Sequence, residues 1–323
     1  MGTMGLSGLI RLSLRGPSVK PRGASVVSIL LTIPLIVSWA GPAGAASTST
    51  AICASSSHPA LAGRISRGVE AARRGRVSFV AVEVDDPGAG VVCRLDSTSH
   101  FDSASVVKVI ILGTLLRKAQ AEHRSLTRRE RALAWAMITR SDNGAASALW
   151  AATGRTWLQR FLNLAGMTDT FLGPGRAWGL TRITAADETR LLWLLLKANR
   201  VLDTSSRDYA LALMADVIGS QRWGVPAGAP RSLVVHVKNG WLPLAPHGWR
   251  INSIGGFTGH GSRYSIVVLT QDNPTMAYGV RTVEAIAQVI NRDLSPGATA
   301  RVPASVISPV QETPDEPVPW GHW

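Results

Sequence analysis

The sequence predicts an α+β fold: an antiparallel sheet whose strands come from both ends of one domain, with an all-helical block inserted between them. Two observations predict it. A helical pattern over residues 61–74 precedes two strand-like runs, 77–84 and 91–96, and Asp85, Asp86, Pro87 and Gly88 form the turn between these runs. Strand patterns return only at 233–237, 249–257 and 264–269, closed by a helix over 280–291. Strands and helices segregated in this way argue for α+β rather than alternating α/β. The chain has 323 residues, 46% of them hydrophobic, and nothing repeats at a fixed period, so one domain with tails is expected.

Between the two strand groups the helices follow in order. Residues 103–122 form a long apolar helical stretch. Residues 127–140 form the next, opened by Thr127 and Glu130 at capping-box spacing. Shorter helices are expected over 145–152 and 156–165. Residues 166–181 carry glycines and Pro174 without periodicity and read as an irregular loop. Thr184 and Asp187 then cap a helix running through 191–196, and 207–218 supplies one more.

The ends read differently. Arg11, Arg15, Lys20 and Arg22 precede an uncharged apolar run at 24–40 and the small residues at 43–46, which is the pattern of a secretory signal peptide over residues 1–45. The apolar run also approaches the lower length limit of a membrane anchor; export with cleavage is the preferred reading. Removing these four positive charges from the chain's +13 leaves +9. A basic exported protein is suited to anionic wall polymers or headgroups, and no motif supports nucleic acid. Cys53 and Cys93 are the only cysteines and both lie in the exported part, which favours one structural disulfide over two buried thiols. Residues 46–59 are expected to be a linker, 60–292 the folded domain, and 293–323 a proline-rich disordered tail.

The chemistry lies in three short motifs. Ser105 and Lys108 stand one helical turn apart, giving a hydroxyl nucleophile its own base. Val106, Val107, Val109, Ile110, Ile111 and Leu112 surround Lys108, so its ammonium is expected to be buried, and burial beside Lys238 would press it toward the neutral, basic form. Ser141 is placed to relay a proton to a leaving nitrogen, Asn143 to hold a substrate amide, and Asp142 to brace the loop, although Ser-Asp-Asn is also a common helix cap. Lys238 and Asn239 would receive a substrate carboxylate. Gly240 lets substrate lie along the strand edge, and the Trp241 N–H would complete an oxyanion hole with that of Ser105. Trp178, Trp241 and Trp249 are expected to border the cleft or pack into the core, and Arg250 and Arg263 to lie at the surface. No metal-ligand spacing or cofactor motif occurs.

The ordered set Ser-Val-Val-Lys, Ser-Asp-Asn and Lys-Asn-Gly resembles the penicillin-recognising serine hydrolases, and its element order is most similar to that of the class A β-lactamases, whose motifs are a worked example in protein chemistry. The resemblance spans about residues 60–292. It implies a five-stranded antiparallel sheet packed with helices as an α/β sandwich, beside an all-helical subdomain with the site at their junction. It also implies Ser105 as the acylated nucleophile, Lys108 as its base, Ser141 as the relay, and Lys238 and Asn239 as carboxylate binders. The sequence departs from that pattern in three places. Asn239 stands where the family usually has threonine or serine. Ser141 follows Ser105 by only 36 residues, which implies a more open cleft. No glutamate occurs between Asn143 and Asp187 to activate a deacylating water; Asp169 and Glu188 are the nearest acids, and each has an ordinary explanation as a turn or first-turn residue.

The expected protein is a monomeric, secreted or envelope-associated serine hydrolase without cofactor, forming an acyl-enzyme on a β-lactam, a cell-wall peptide or a related amide or ester. A D,D-peptidase or esterase of the same fold, and a binder that captures β-lactams or wall fragments without turnover, are the alternatives.

Overall fold

A computed structural model describes residues 52–305 of the chain. The apolar run at 24–40 lies outside the described residues, as does the part of the expected tail beyond Ser305. Among the described residues no helix is long and apolar enough to cross a membrane.

The described residues open with β1 (Ile52–Ser55) and α1 (Pro59–Arg73), then the hairpin β2 (Phe79–Asp86) and β3 (Val91–Leu95). A short β4 (Phe101–Asp102) leads into a 3-10 turn, Ala104–Val106, and then α2 (Val107–Ala121). The helical block continues with α3 (Arg128–Thr139), α4 (Asn143–Thr153) and α5 (Arg155–Ala165). After an irregular segment and β5 (Arg182–Ile183) come α6 (Ala185–Leu196) and α7 (Thr204–Ala215). The chain then returns to the sheet through β6 (Val234–Pro243), β7 (Trp249–Gly259) and β8 (Ser262–Asn273), and ends on α8 (Met276–Leu294).

The main sheet is antiparallel in the order β1-β3-β2-β8-β7-β6. Five strands were expected and six form. The addition is β1, four residues inside the expected 46–59 linker, which pairs with β3 so that Cys53 faces Cys93. These two cysteines form the disulfide. A run so short carries no readable alternation, and its strand state depends on the cross-strand partner. The helical block is inserted between β3 and β6, as the pattern predicted.

Local signals explain the helix starts. Thr127 and Glu130 form the reciprocal capping box, with Glu130 N–H on Thr127 Oγ1 at 3.1 Å and Thr127 N–H on Glu130 Oε2 at 2.7 Å. Thr184 Oγ1 accepts from Asp187 N–H at the start of α6. Around α2 the core closes on every side, and Val107, Val109, Ile110, Ile111 and Leu112 are each fully buried. Gly113 admits this packing, because a Cβ there would lie 2.4 Å from the Phe161 ring.

The C-terminal boundary also differs from expectation. Helix α8 reaches Leu294, and the following residues pack against the domain. Arg301 pairs with Pro230 in a β-bridge, and its Nη1 donates to Gly228 O at 2.9 Å. Ser305 Oγ donates to Glu284 Oε1 at 2.5 Å. Prolines mask these contacts in the sequence, since segments of this composition usually lack the apolar residues that would anchor them.

Candidate functional site

The site forms where the edge of the sheet meets the helical block. Strand β6 is the outermost strand, so one of its edges faces the Ser105 turn rather than another strand. Gly240 marks the closest approach: a Cβ there would sit 2.7 Å from Ser103 O, 2.8 Å from Ser105 N and 3.0 Å from Val106 N. All three are backbone atoms that cannot yield, so only glycine fits. The packing brings the Lys238 to Trp241 stretch beside the Ser105 backbone, although 135 residues separate Ser105 from Gly240.

Ser105 itself lies in the 3-10 turn preceding α2 rather than in the helix proper, and is half-buried. The residue before it, Ala104, has φ 47°, a left-handed conformation that costs a non-glycine residue of the order of 1 kcal/mol or more. The second such residue at the site is Ser141, with φ 57°. It occupies the position after α3 and its cap Arg140 where a left-handed residue, usually glycine, ends a helix. Two strained residues, one beside Ser105 and the other Ser141 itself, mark the places where the surrounding fold overrides local preference.

Lys108 is fully buried and its Nζ reaches three acceptors: Ser141 O at 2.5 Å, Asn143 Oδ1 at 2.8 Å and Ser141 Oγ at 3.0 Å. Lys238, also fully buried, places its Nζ 2.9 Å from the same Ser141 Oγ and 3.0 Å from Asn239 O. Two lysines thus converge on one hydroxyl. Burial, then the neighbouring Lys238 charge, hold Lys108 well below the usual lysine range, against a smaller opposing pull from Asp142. Burial pushes Lys238 down to about 7. Among the described residues neither has a carboxylate partner at hydrogen-bond distance, so each gives up its proton far more readily than an exposed lysine.

The sequence paired Ser105 with Lys108 on one helical face. In the structure Lys108 turns toward Ser141 and Asn143, and no hydrogen bond joins it to Ser105 Oγ among the described residues. The 3-10 turn explains the difference, because it rotates Ser105 off the helical register that begins at Val107. Asn143 accepts from Lys108 through Oδ1, so that hydrogen bond uses none of its amide N–H groups. Asp142 caps α4 by accepting from Ala145 N–H at 2.6 Å, the bracing role expected of it.

Asn239 departs furthest from its expected part. Its Nδ2 donates to Gln221 O at 2.8 Å and Trp223 O at 2.9 Å, so the side chain is tied to the 221–223 segment instead of being free at the cleft. Its Oδ1 is buried with no hydrogen-bond partner. Trp241 is half-buried, with its ring edge-on to Trp223 at 6.0 Å between centroids. Arg250, expected at the surface, is 2% exposed. It donates from Nε and Nη2 to Asp102 Oδ2 at 3.0 and 2.9 Å, and from Nη1 to Leu244 O and Gly248 O.

Trp178 was one of three tryptophans expected near the cleft or core; its particular contact was not foreseen. The Lys108 Nζ lies 4.9 Å from the centroid of its ring, and its indole N–H donates to Ser147 Oγ at 3.1 Å. The signal available in sequence was a tryptophan on a loop with no other apolar periodicity. The two acids considered for activating water lie in opposite surroundings, one at the surface and one in the interior. Asp169 is exposed and donates its backbone N–H to Asp187 Oδ2, while Glu188 is fully buried with neither carboxyl oxygen hydrogen-bonded. Burial, then the Asp187 charge, hold Glu188 well above the usual carboxyl range, which disfavours its charged, basic form. No group of three or more His, Cys, Asp and Glu side chains among the described residues is placed to hold a metal ion.

Comparison with known proteins is consistent with this geometry. Residues 130–294 match the family model described as "Beta-lactamase enzyme family". Among solved structures, the chain is similar to a class A beta-lactamase from Bacteroides cellulosilyticus, with TM-score 0.64 and 18% identity over 72% of this chain and 98% of that one. It is similar to a beta-lactamase from Sphaerobacter thermophilus, with TM-score 0.61 and 20% identity over 71% of this chain and 96% of that one. A mutant of PBP-A, solved as an acyl-enzyme complex with penicillin G, gives TM-score 0.62 and 16% identity over 73% and 97%. At these identities the structural likeness speaks for the fold. No curated protein matches the sequence.

Proposed function

The chain belongs to the beta-lactamase enzyme family, and on that premise we propose that it is an exported acyl-serine hydrolase with Ser105 as nucleophile. Ser105 Oγ attacks the carbonyl carbon of a β-lactam or a related amide or ester. Its proton passes toward the Lys108 and Ser141 pair as the new C–O bond forms. The backbone N–H groups of Ser105 and Trp241 receive the negative charge that develops on the carbonyl oxygen. When the bond to the leaving nitrogen or oxygen breaks, Ser141 Oγ supplies the proton and is recharged from Lys108 or Lys238. The observation that carries this reading is the convergence of two buried lysines on Ser141 Oγ, at 3.0 and 2.9 Å. A structural serine has no need of two depressed lysines, whose burial costs stability.

A second reading, slow turnover or capture of the acyl group, is favoured by the surroundings of Lys108. The charged groups that act on it are Lys238 and Asp142, and Asp142 is engaged in capping α4. Burial disfavours the charged form of Glu188, the Trp178 ring lies against Lys108, and among the described residues no carboxylate is hydrogen-bonded to the Lys108 and Ser141 pair to activate water for the second step. A D,D-peptidase or esterase would share the acylation chemistry and differ in its acceptor.

Intact mass of the protein and of Ser105→Ala, followed from minutes to hours with a penicillin, a cephalosporin and an activated ester, tests the proposal. A Ser105-dependent adduct that persists supports a slow or trapping enzyme, and a transient adduct with substrate consumption supports turnover. An adduct of equal size on Ser105→Ala sinks Ser105 as nucleophile.

A further inference from the structure

An anion entering a site must exchange its water for donors that are free to receive it. At Asn239 and at the arginines of the adjoining strand and segment, Arg250 and Arg222, the structure commits those donors internally. Both N–H groups of the Asn239 amide are used on Gln221 O and Trp223 O, and its Oδ1 stands buried without a donor. Arg250, the cation on the strand next to β6, is neutralised by Asp102 and spends its remaining Nη1 on Leu244 O and Gly248 O. Arg222 donates to Ala215 O at 2.6 Å and Val235 O at 3.0 Å. The Arg140 guanidinium, exposed at the surface, lies over the Trp135 ring, 4.5 Å from its centroid. Arg263 pairs with Thr258 in the β7–β8 register, six residues along β7 from the Asn252 that faces Gly240. At about 3.3 Å per residue this places it roughly 20 Å away. Lys238 itself is held between Ser141 Oγ and Asn239 O.

We propose that this site selects acyl donors that carry no carboxylate beside the scissile bond, neutral esters and amides, and that Asn239 is the specificity-determining residue. The inference rests on the acyl-serine reading and adds the substrate class. A hydroxyl side chain at this position would present a donor to an anion. The asparagine instead folds both its donors back onto the 221–223 segment and buries its carbonyl oxygen, so its side chain has no donor left to receive one.

The test is a matched pair: benzylpenicillin and its neutral methyl ester, with Ser105 acylation followed by intact mass. Ring opening loses no atoms, so each adduct carries the full mass of its reagent. The expected result is a second-order acylation rate at least tenfold higher for the ester, with Asn239→Thr shifting the ratio toward the acid. An acid that reacts as fast as the ester overturns the inference. So does a preference for the acid that disappears in Arg176→Ala, since it would reveal an anion partner on the exposed loop before Trp178. No labelling by either β-lactam also overturns it. In that case a fluorophosphonate separates the two claims: labelling of Ser105 leaves the acyl-serine reading standing, and no labelling removes it as well.

Discussion

Replacing Lys238 with methionine should change how stability depends on pH, by an amount the structure sets. Lys238 is fully buried, and its folded value is about 7 against 10.5 for an ordinary lysine. Between those two values the unfolded chain holds a proton that the folded chain does not, so unfolding takes up a proton and stability rises with pH. At about 1.4 kcal/mol per pH unit the whole interval corresponds to about 5 kcal/mol, all of it a cost to the folded state at and below pH 7. Methionine fills similar volume and removes the titration. The bonds to Ser141 Oγ and Asn239 O are lost, which offsets the variant's curve vertically without changing its slope. Loss of the Lys238 charge also relaxes Lys108, whose own depression has the same sign. Urea unfolding of both proteins from pH 6 to pH 10 measures the difference. The wild type should gain on Lys238→Met by about 1.4 kcal/mol per unit above pH 7, and the difference should be flat below it. Curves that stay parallel within about 0.5 kcal/mol across pH 7–9.5 would refute the buried, readily deprotonated lysine.

Three further outcomes follow from single features. Gly240→Ala drives a Cβ into Ser103 O and Ser105 N, so Ser105 acylation measured by mass should fall at least about 100-fold as the oxyanion donors separate, with a stability loss of about 1–3 kcal/mol in the same urea assay. Glu188→Met replaces a buried carboxyl whose folded value is raised, a group whose contribution is full below about pH 4.5 and lost as pH rises toward the folded value; the variant should gain on wild type in stability as pH rises from 4.5 to about 8, with the gap closing toward pH 4.5 in thermal melts. The Cys53→Ser, Cys93→Ser double variant releases a loop of 40-residue separation, and should lose up to about 4 kcal/mol by chain entropy in equilibrium unfolding under non-reducing conditions.

The sequence by itself determined the element order and the insertion of the helical block. Helix starts such as Thr127 with Glu130 and Thr184 with Asp187 are legible because both partners lie within four residues, and local hydrogen bonds decide them. The motif residues were legible because a lysine in a run of valine and isoleucine needs a reason that packing does not supply. The tertiary structure decided which partner each of these groups meets. Ser141 receives Lys238 from 97 residues away, and Arg250 finds Asp102 across 148. The Asn239 amide turned to Gln221 and Trp223, and Trp178 came to rest on Lys108, through contacts no periodicity encodes. Residues 52–55 became a strand only because β3 was there to pair with them. Periodicity reports which face of an element is buried; what lies against that face depends on how elements distant in sequence pack, and at this site that packing fixes both the protonation of the lysines and the donors left for a substrate.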